Sequence, residues 1–422
     1  WPGTIPCFAN TSGTSGGRTK RIPVSRAMLR ANRRAALEVL VFHIASRPQS
    51  RVLAGRNFLL GGSTALETLA PGITAGDLSG IAAADIPFWV RPRMFPPRDL
   101  ALIADWERKI AALAPLSLAA NITSISGTPS WLLLFFSELA RRKPGARLAE
   151  LYPALELLVH GGVGFAPYRA SFASWLEGSR AETREVYPAS EGFLAAADRG
   201  DGAGLRMFLD NGIFYEFVRP EEIGAVAPER RWIADAEEGV EYALVLSTNA
   251  GLWSYVLGDT VRLLGRDPPR LMVTGRLGWS LSLAGEHLIG AELDAGMAEA
   301  AALLGGSVAD YAAAALPPEA HDARGGHLFI VEFSRASGEK AEMQAETFAA
   351  ALDAALARAN DDYATHRAGG FGLRAPLVVL VPPGTFAAWM AARGRLGGQN
   401  KVPRVITDAG LLADLLRFVR AA

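Results

Sequence analysis

The chain has 422 residues, half of them hydrophobic and a fifth charged, with 43 basic residues against 43 acidic ones. That length suffices for two or three domains with sizeable cores, and the composition excludes a disordered chain. Zero formal net charge speaks against a broad nucleic-acid or anionic-membrane footprint, which needs a positive excess.

Residues Trp1–Pro6 carry neither the basic nor the apolar stretch of a targeting signal. Opening on Trp instead of Met, the sequence leads us to expect a further N-terminal segment upstream. Cys7 is the only cysteine, so no intrachain disulfide or thiolate cage can form, which fits a reducing cytoplasm. Residues 10–23, NTSGTSGGRTKRIP, combine glycines and hydroxyls with Arg18, Lys20 and Arg21. Clustered backbone N–H and hydroxyl donors beside positive charge make a seat for phosphate, whereas the plainer reading is a mobile Ser/Gly linker. The spacing is not that of a Walker loop, which needs G-x-x-x-x-G-K-[ST].

Residues 20–25 read as extended, and Ser25 as the N-cap of a helix to Ser46. Leu29, Ala36, Leu40 and His43 mark one face, with Arg26, Arg30, Arg33 and Arg34 on the other. Residues 57–64 read as a short buried strand ending in a Gly-Gly turn. The uncharged run Ile110–Ser137 is broken by Pro115, Asn121, Gly127 and Pro129, so it is no membrane span. Within it, Pro129 and Ser130 begin an apolar helix over 130–142. LELLVHGGVG (155–164) is a strand breaking into glycines, followed by a helix over 168–178. REVYPASEGFLA (184–195) is again a strand entering a polar turn. Such strands predict α/β units with ligand groups at their carboxyl ends. Short strands with close turns over 210–275 suit a small antiparallel sheet or barrel. Beyond Gly275, Ala-rich helices (286–303 and 339–359) alternate with strands at 327–333 and 376–381, a small α+β domain. The six histidines are scattered without metal-ligand spacing and read as structural.

The TSGTSGG…K run (11–20) resembles the phosphate loop of the adenylate-forming superfamily of acyl-CoA synthetases, adenylation domains and luciferases. His160-Gly161-Gly162 resembles its adenine turn. Tyr187-Pro188-Ala189-Ser190-Glu191 resembles the aromatic–hydroxyl–acid motif, Asp259 the ribose-binding acid and Arg276 the hinge arginine. The closer match is to the Gretchen Hagen 3 (auxin-responsive promoter) family of acyl-acid–amido synthetases in its bacterial form. GTPSWLLLFF, DNGIFYEF, LWSYVLGDTVR, GEHLIG and GGQNKVPR (397–404) carry it, so the likeness runs from about residue 8 to about 404. Tyr255-Val256-Leu257-Gly258-Asp259 departs from the superfamily by lacking an arginine before the Gly-Asp pair.

The resemblance implies an α/β fold: a large N-terminal domain (1–276) of α/β layers with a small antiparallel β-barrel, then a small mobile α+β C-terminal domain (277–422). It also implies ATP and Mg²⁺, with small-molecule carboxylic acid and amine substrates, an amino acid for the amine, and neither nucleic acid nor membrane. Thr11, Ser12, Gly13, Thr14, Ser15, Gly16 and Gly17 would hold the outer phosphates, with Lys20 or Arg18 adding charge. Gly161, Gly162, Tyr187, Pro188, Ala189, Ser190, Asp259 and Arg276 would bind the rest of ATP, and Glu191 the metal. Lys401 would approach the reacting carboxylate and α-phosphate. Plainer readings stand beside these: Asp259 as a turn former, Glu191 as an acid at a helix N-terminus, and Lys401 as a solvated lysine. Trp131, Phe135 and Phe136 read as core, and helix 339–359 as a solvated face. The alternatives are a carboxylate–CoA ligase and a non-catalytic nucleotide-binding protein.

Overall fold

A computed structural model describes residues 3–12, 19–61, 66–101, 103, 106–200, 202–277, 281, 286, 288–316, 325–334, 341–367, 373–396 and 401–421. The chain forms two compact units, one from Trp1–Val163 and Trp175–Met272, the other from Gly164–Ser174, Val273–Leu396 and Lys401–Ala422.

The strands run, in chain order, β1 (Cys7–Ser12), β2 (Thr19–Val24), β3 (Arg56–Leu60), β4 (Leu66–Ala70), β5 (Ile73–Gly76), β6 (Met94–Phe95), β7 (Ile122–Gly127), β8 (Leu157–Gly161) and β9 (Glu182–Ala189). They continue as β10 (Gly192–Ala196), β11 (Leu205–Met207), β12 (Ile213–Val218), β13 (Glu241–Thr248), β14 (Tyr255–Arg266) and β15 (Pro269–Arg276). Eleven of them make one sheet, in the order β12-β13-β14-β15-β11-β10-β9-β8-β7-β3-β6, while β2-β1-β5-β4 make a second. The block β6-β3-β7-β8-β9 is parallel, and its central strands are apolar because both faces are covered. Helix Pro129–Arg142 supplies part of that cover: Phe135 and Phe136 are fully buried, and Phe135 meets Phe58 of β3 edge-on at 5.0 Å. These rings are core, as expected. The helix begins one residue earlier than the sequence suggested, at Pro129, with Thr128 as its N-cap.

The antiparallel strands expected over 210–275 are present. They extend the main sheet through β9 and β10, and the two segments LWSYVLG and TVRLLG lie largely in one strand, β14. The 184–195 stretch differs more: it is a hairpin of β9 and β10, and no helix follows its turn.

Helix Arg26–Ser46 has the expected bounds. Ser25 caps it, its Oγ accepting the Met28 amide at 3.0 Å and donating to the Asn249 carbonyl at 3.1 Å. Its buried stripe is Met28, Ala35, Val39 and His43: His43 is buried as expected, and the other three each lie one residue before the Leu29, Ala36 and Leu40 read from the sequence. The helix lies on β10, so Ala35 and Val39 meet Ala196 and Phe208. Ser25→Ala should lower stability by about 1 kcal/mol, measurable as a shift in denaturant midpoint at constant slope.

In the second unit, β16 (Val308–Leu316) pairs antiparallel with β17 (Gly326–Phe333), which pairs parallel with β18 (Leu377–Val381). Tyr311, Ala313, Phe329 and Val331 face helices Gly290–Leu303 and Ala341–Ala359. Ala312, Ala314, Leu328 and Ile330 face helices Thr385–Ala392 and Ala409–Ala421. Strand β16 carries no local signal, because its alanine run is a helix former by propensity. Two-sided packing decides otherwise. Helix Ala341–Ala359 is more than a solvated face, since it buries Phe348, Leu352 and Leu356. The helix expected over 168–178 is the shorter Arg169–Trp175. Among the described residues no helix is long and apolar enough to cross a membrane.

Candidate active site

At their carboxyl ends β3, β7 and β8 stop nearly in step, while β9 runs on three residues past Val186. Leu60 pairs with Gly127, Gly127 with His160, His160 with Glu185 and Gly161 with Val186. In open α/β sheets that edge is where ligands sit. Gly161 must be glycine, because a Cβ there would stand 2.2 Å from the Val186 carbonyl oxygen. His160 is buried beneath, and Gly162 turns the chain at a φ of 87°.

Next along β9, the buried Tyr187 donates its hydroxyl to Asp259 Oδ2 at 2.6 Å. Asp259 reaches that position through a bulge. The β13–β14 ladder runs Ala243 to Thr260, then Val245 to Val256, so residues 257–259 oppose Leu244 alone. Gly258 within the bulge has a φ of 91°, a conformation glycine adopts without strain.

Pro188 and Ala189 end β9, and Ser190 and Glu191 form the turn into β10. Glu191 is only 6% exposed. With a strand after it, the helix-dipole reading of this acid has no helix to act on. Among the described residues no three His, Cys, Asp or Glu gather to hold a metal. A single buried carboxylate suits Mg²⁺, which keeps waters and substrate phosphates as its other ligands.

Thr11 and Ser12 end β1 opposite Lys20 and Thr19 of β2. Gly13, Thr14, Ser15, Gly16, Gly17 and Arg18 lie outside the described residues. Lys20 Nζ stands over the Tyr255 ring, 5.9 Å from its centre.

Arg276 and Lys401 belong to the second unit. Arg276 ends β15 half-buried, and Lys401 is exposed at the head of the stretch running to Ile406. Gly397–Asn400 lie outside the described residues. Three positions beyond Lys401, Arg404 joins a buried polar cluster with Tyr168, Asp294, Asp310 and Tyr311. Sequence reading missed this cluster. Its members are scattered from 168 to 404, and its one local signal is Arg404 inside the GGQNKVPR run.

Comparison with known proteins adds three family matches: the GH3 family N-terminal domain over residues 1–107, central domain over 206–276 and C-terminal domain over 291–410. Together they take in more than half of the chain. Among curated proteins, indole-3-acetic acid-amido synthetase GH3.8 of Oryza sativa subsp. indica is 30% identical over 206 residues, which are 46% of this chain and 33% of that protein. Indole-3-acetic acid-amido synthetase GH3.3 of Arabidopsis thaliana is 32% identical over 99 residues, 23% of this chain and 17% of that one. The chain thus aligns with about a third or less of these relatives' length. Among solved structures, the GH3.15 acyl acid amido synthetase in complex with 2,4-DB superposes with a TM-score of 0.76 at 17% identity, covering 98% of this chain and 82% of that one. A 2-hydroxyisobutyryl-CoA ligase in its postadenylation state reaches 0.61 at 17% identity, covering 98% and 76%. At such identities the likeness is one of fold.

Proposed function

The chain belongs to the GH3 family, and from that premise we propose that it is an ATP-dependent ligase that makes an acyl adenylate and passes the acyl group to an amine. The acid is a small organic or fatty acid and the amine an amino acid. The observation that carries the reading is the Tyr187–Asp259 hydrogen bond of 2.6 Å, beside the Gly161 turn at the carboxyl edge of the parallel strands. An aromatic face for a base and a carboxylate for sugar hydroxyls, held together at a ligand-binding edge, make a nucleoside seat.

The chemistry follows from leaving groups. A carboxylate cannot expel oxide, so its oxygen first attacks the α-phosphorus of ATP. The bond to the β-phosphate oxygen breaks and pyrophosphate leaves. The amine nitrogen then attacks the acyl carbon, the bond to AMP breaks, and the nitrogen loses a proton. Both steps depend on positioning and on neutralising charge. Thr11–Gly17 would hold the outer phosphates, Asp259 the ribose hydroxyls with Arg276 near the same sugar, and Gly161, Gly162 and Tyr187–Ser190 the adenine and α-phosphate. Lys401 would offset the negative charge that builds as the carboxylate attacks. Mg²⁺, which Glu191 would hold, supplies charge neutralisation on the phosphates. We assign residues 1–276 to the large adenylate-forming domain, 277–422 to the small C-terminal one, and the protein to the cytoplasm.

The test is pyrophosphate release with Mg·ATP, a panel of carboxylic acids and mixed amino acids, with amide detected by mass spectrometry. Release should require an acid, and an amino acid, not free CoA, should consume the adenylate, giving amide and no CoA thioester. Asp259→Asn should raise the ATP KM about 10- to 100-fold, the worth of a hydrogen bond to a charged group. Tight ATP binding without release for any acid would sink the reading.

A further inference from the structure

Lys401 is exposed and stands on a stretch that is neither helix nor strand. A side chain can place its charge only as firmly as its backbone is held. Two features hold this backbone. The Ala313 amide donates to the Arg404 carbonyl at 2.7 Å and the Ile406 amide to the Ala313 carbonyl at 2.7 Å, a parallel bridge that docks Val405 against β16. Arg404 then turns its side chain inward, only 13% exposed. Its Nη1 donates to the Asp310 carboxylate and to the Tyr311 carbonyl at 3.0 Å. Its Nη2 donates to the Tyr168 hydroxyl at 2.8 Å. The guanidinium also lies over the Tyr311 ring, 4.3 Å from its centre, and the Tyr311 hydroxyl donates to Asp294 at 2.6 Å.

Such a fork cannot slide. Each direction of motion for Arg404 breaks a charge-assisted hydrogen bond or the ring contact. Burial opposes the guanidinium's charge, but Tyr168, Asp310, Tyr311 and Asp294 together hold it well above its ordinary pKa, so the clamp stays charged. A surface segment needing only to stay attached is served by the backbone bridge to Ala313. A buried arginine with this many fixed partners specifies where the neighbouring residues sit.

We propose that Arg404 is a positioning residue that acts through Lys401, fixing the lysine's backbone three residues upstream for acid activation. The inference rests on the reading of Lys401 given above. Lysine at position 404 keeps the charge but has no planar fork, so it cannot hold the Asp310, Tyr311 and Tyr168 contacts at once.

The experiment is a double-mutant cycle on acid-dependent pyrophosphate release in the whole protein. It uses Arg404→Lys and Tyr168→Phe, each alone and combined with Lys401→Ala. Arg404→Lys should lower kcat about 10- to 100-fold with the ATP KM unchanged, and Tyr168→Phe, which removes one acceptor, should lower it less. In the Lys401→Ala background both losses should vanish, because the group they position is gone. Equal losses in both backgrounds would mean that Arg404 serves stability alone, overturning the inference while the role of Lys401 stands. A Lys401→Ala variant as active as the parent would overturn both.

Discussion

Glu191→Gln is expected to cut acid-dependent pyrophosphate release by about 10²- to 10³-fold, the usual cost of removing one fixed electrostatic partner of a transition state. The substitution is nearly isosteric, so the two-residue turn between β9 and β10 and its buried setting keep their volume and lose only the charge. That loss corresponds to about 3–4 kcal/mol of barrier. Two readouts separate a metal role from a structural one. The variant should need more Mg²⁺ for half-maximal rate, and it should keep the parent's unfolding midpoint to within a few degrees. Pyrophosphate release within about threefold of the parent at every Mg²⁺ concentration would remove Glu191 from the metal site. An unchanged Mg²⁺ requirement with a large loss in kcat would make it an electrostatic partner of another kind.

Three of the parallel strands, β3, β8 and β9, could be read from sequence because each is a short run closed by glycine or a polar turn, as in LELLVHGG, whereas β6, two residues long, and the mixed β7, ITSISG, carry no such signal. Ser25 announced its helix by cap chemistry, a local signal. What failed was less local. Most of the stripe of helix Arg26–Ser46 shifts by one residue because β10, distant in sequence, chooses which side is covered. Strand β16 is alanine-rich, and only its place between two helical layers makes it a strand. At the site, motif order along the chain supplied Tyr187 and Asp259 separately. Their contact spans 72 positions and depends on a bulge that no periodicity shows. Arg404 was in plain view within a quoted motif, but its partners at 168, 294, 310 and 311 are visible only once the second unit is folded.

The second unit should also lose stability as pH rises from mildly acid to neutral, an effect centred on Glu332. This residue on β17 is only 5% exposed and lies directly across the ladder from Asp310. Burial first, and then the nearby Asp310, push its carboxyl from the ordinary 4.5 up to about 7, against the amides of Phe386 and Gly384 that donate to it. Between those two values the folded chain holds a proton that the unfolded chain has released. Stability therefore falls as pH rises across the window, with its full contribution present below about 4.5 and lost above about 7. Asp198 has the opposite sign: burial is overcome by the two bonds from Arg270, its pKa is lowered, and its contribution is lost only as pH falls into the acid range. The windows do not overlap, so they separate in one titration. A shift of this size is worth on the order of 3 kcal/mol. Glu332→Gln cannot ionise and keeps one of the two oxygens that accept the Gly384 and Phe386 amides, so it starts lower by the lost bond, yet it should gain on the parent by about that much between pH 5 and pH 8. Denaturant unfolding of both proteins at pH 5, 6.5 and 8 measures the difference directly. A difference that stays flat across the series would mean that Glu332 is ionised in the folded protein throughout, stabilised by the two amides more than it is penalised by burial and by Asp310.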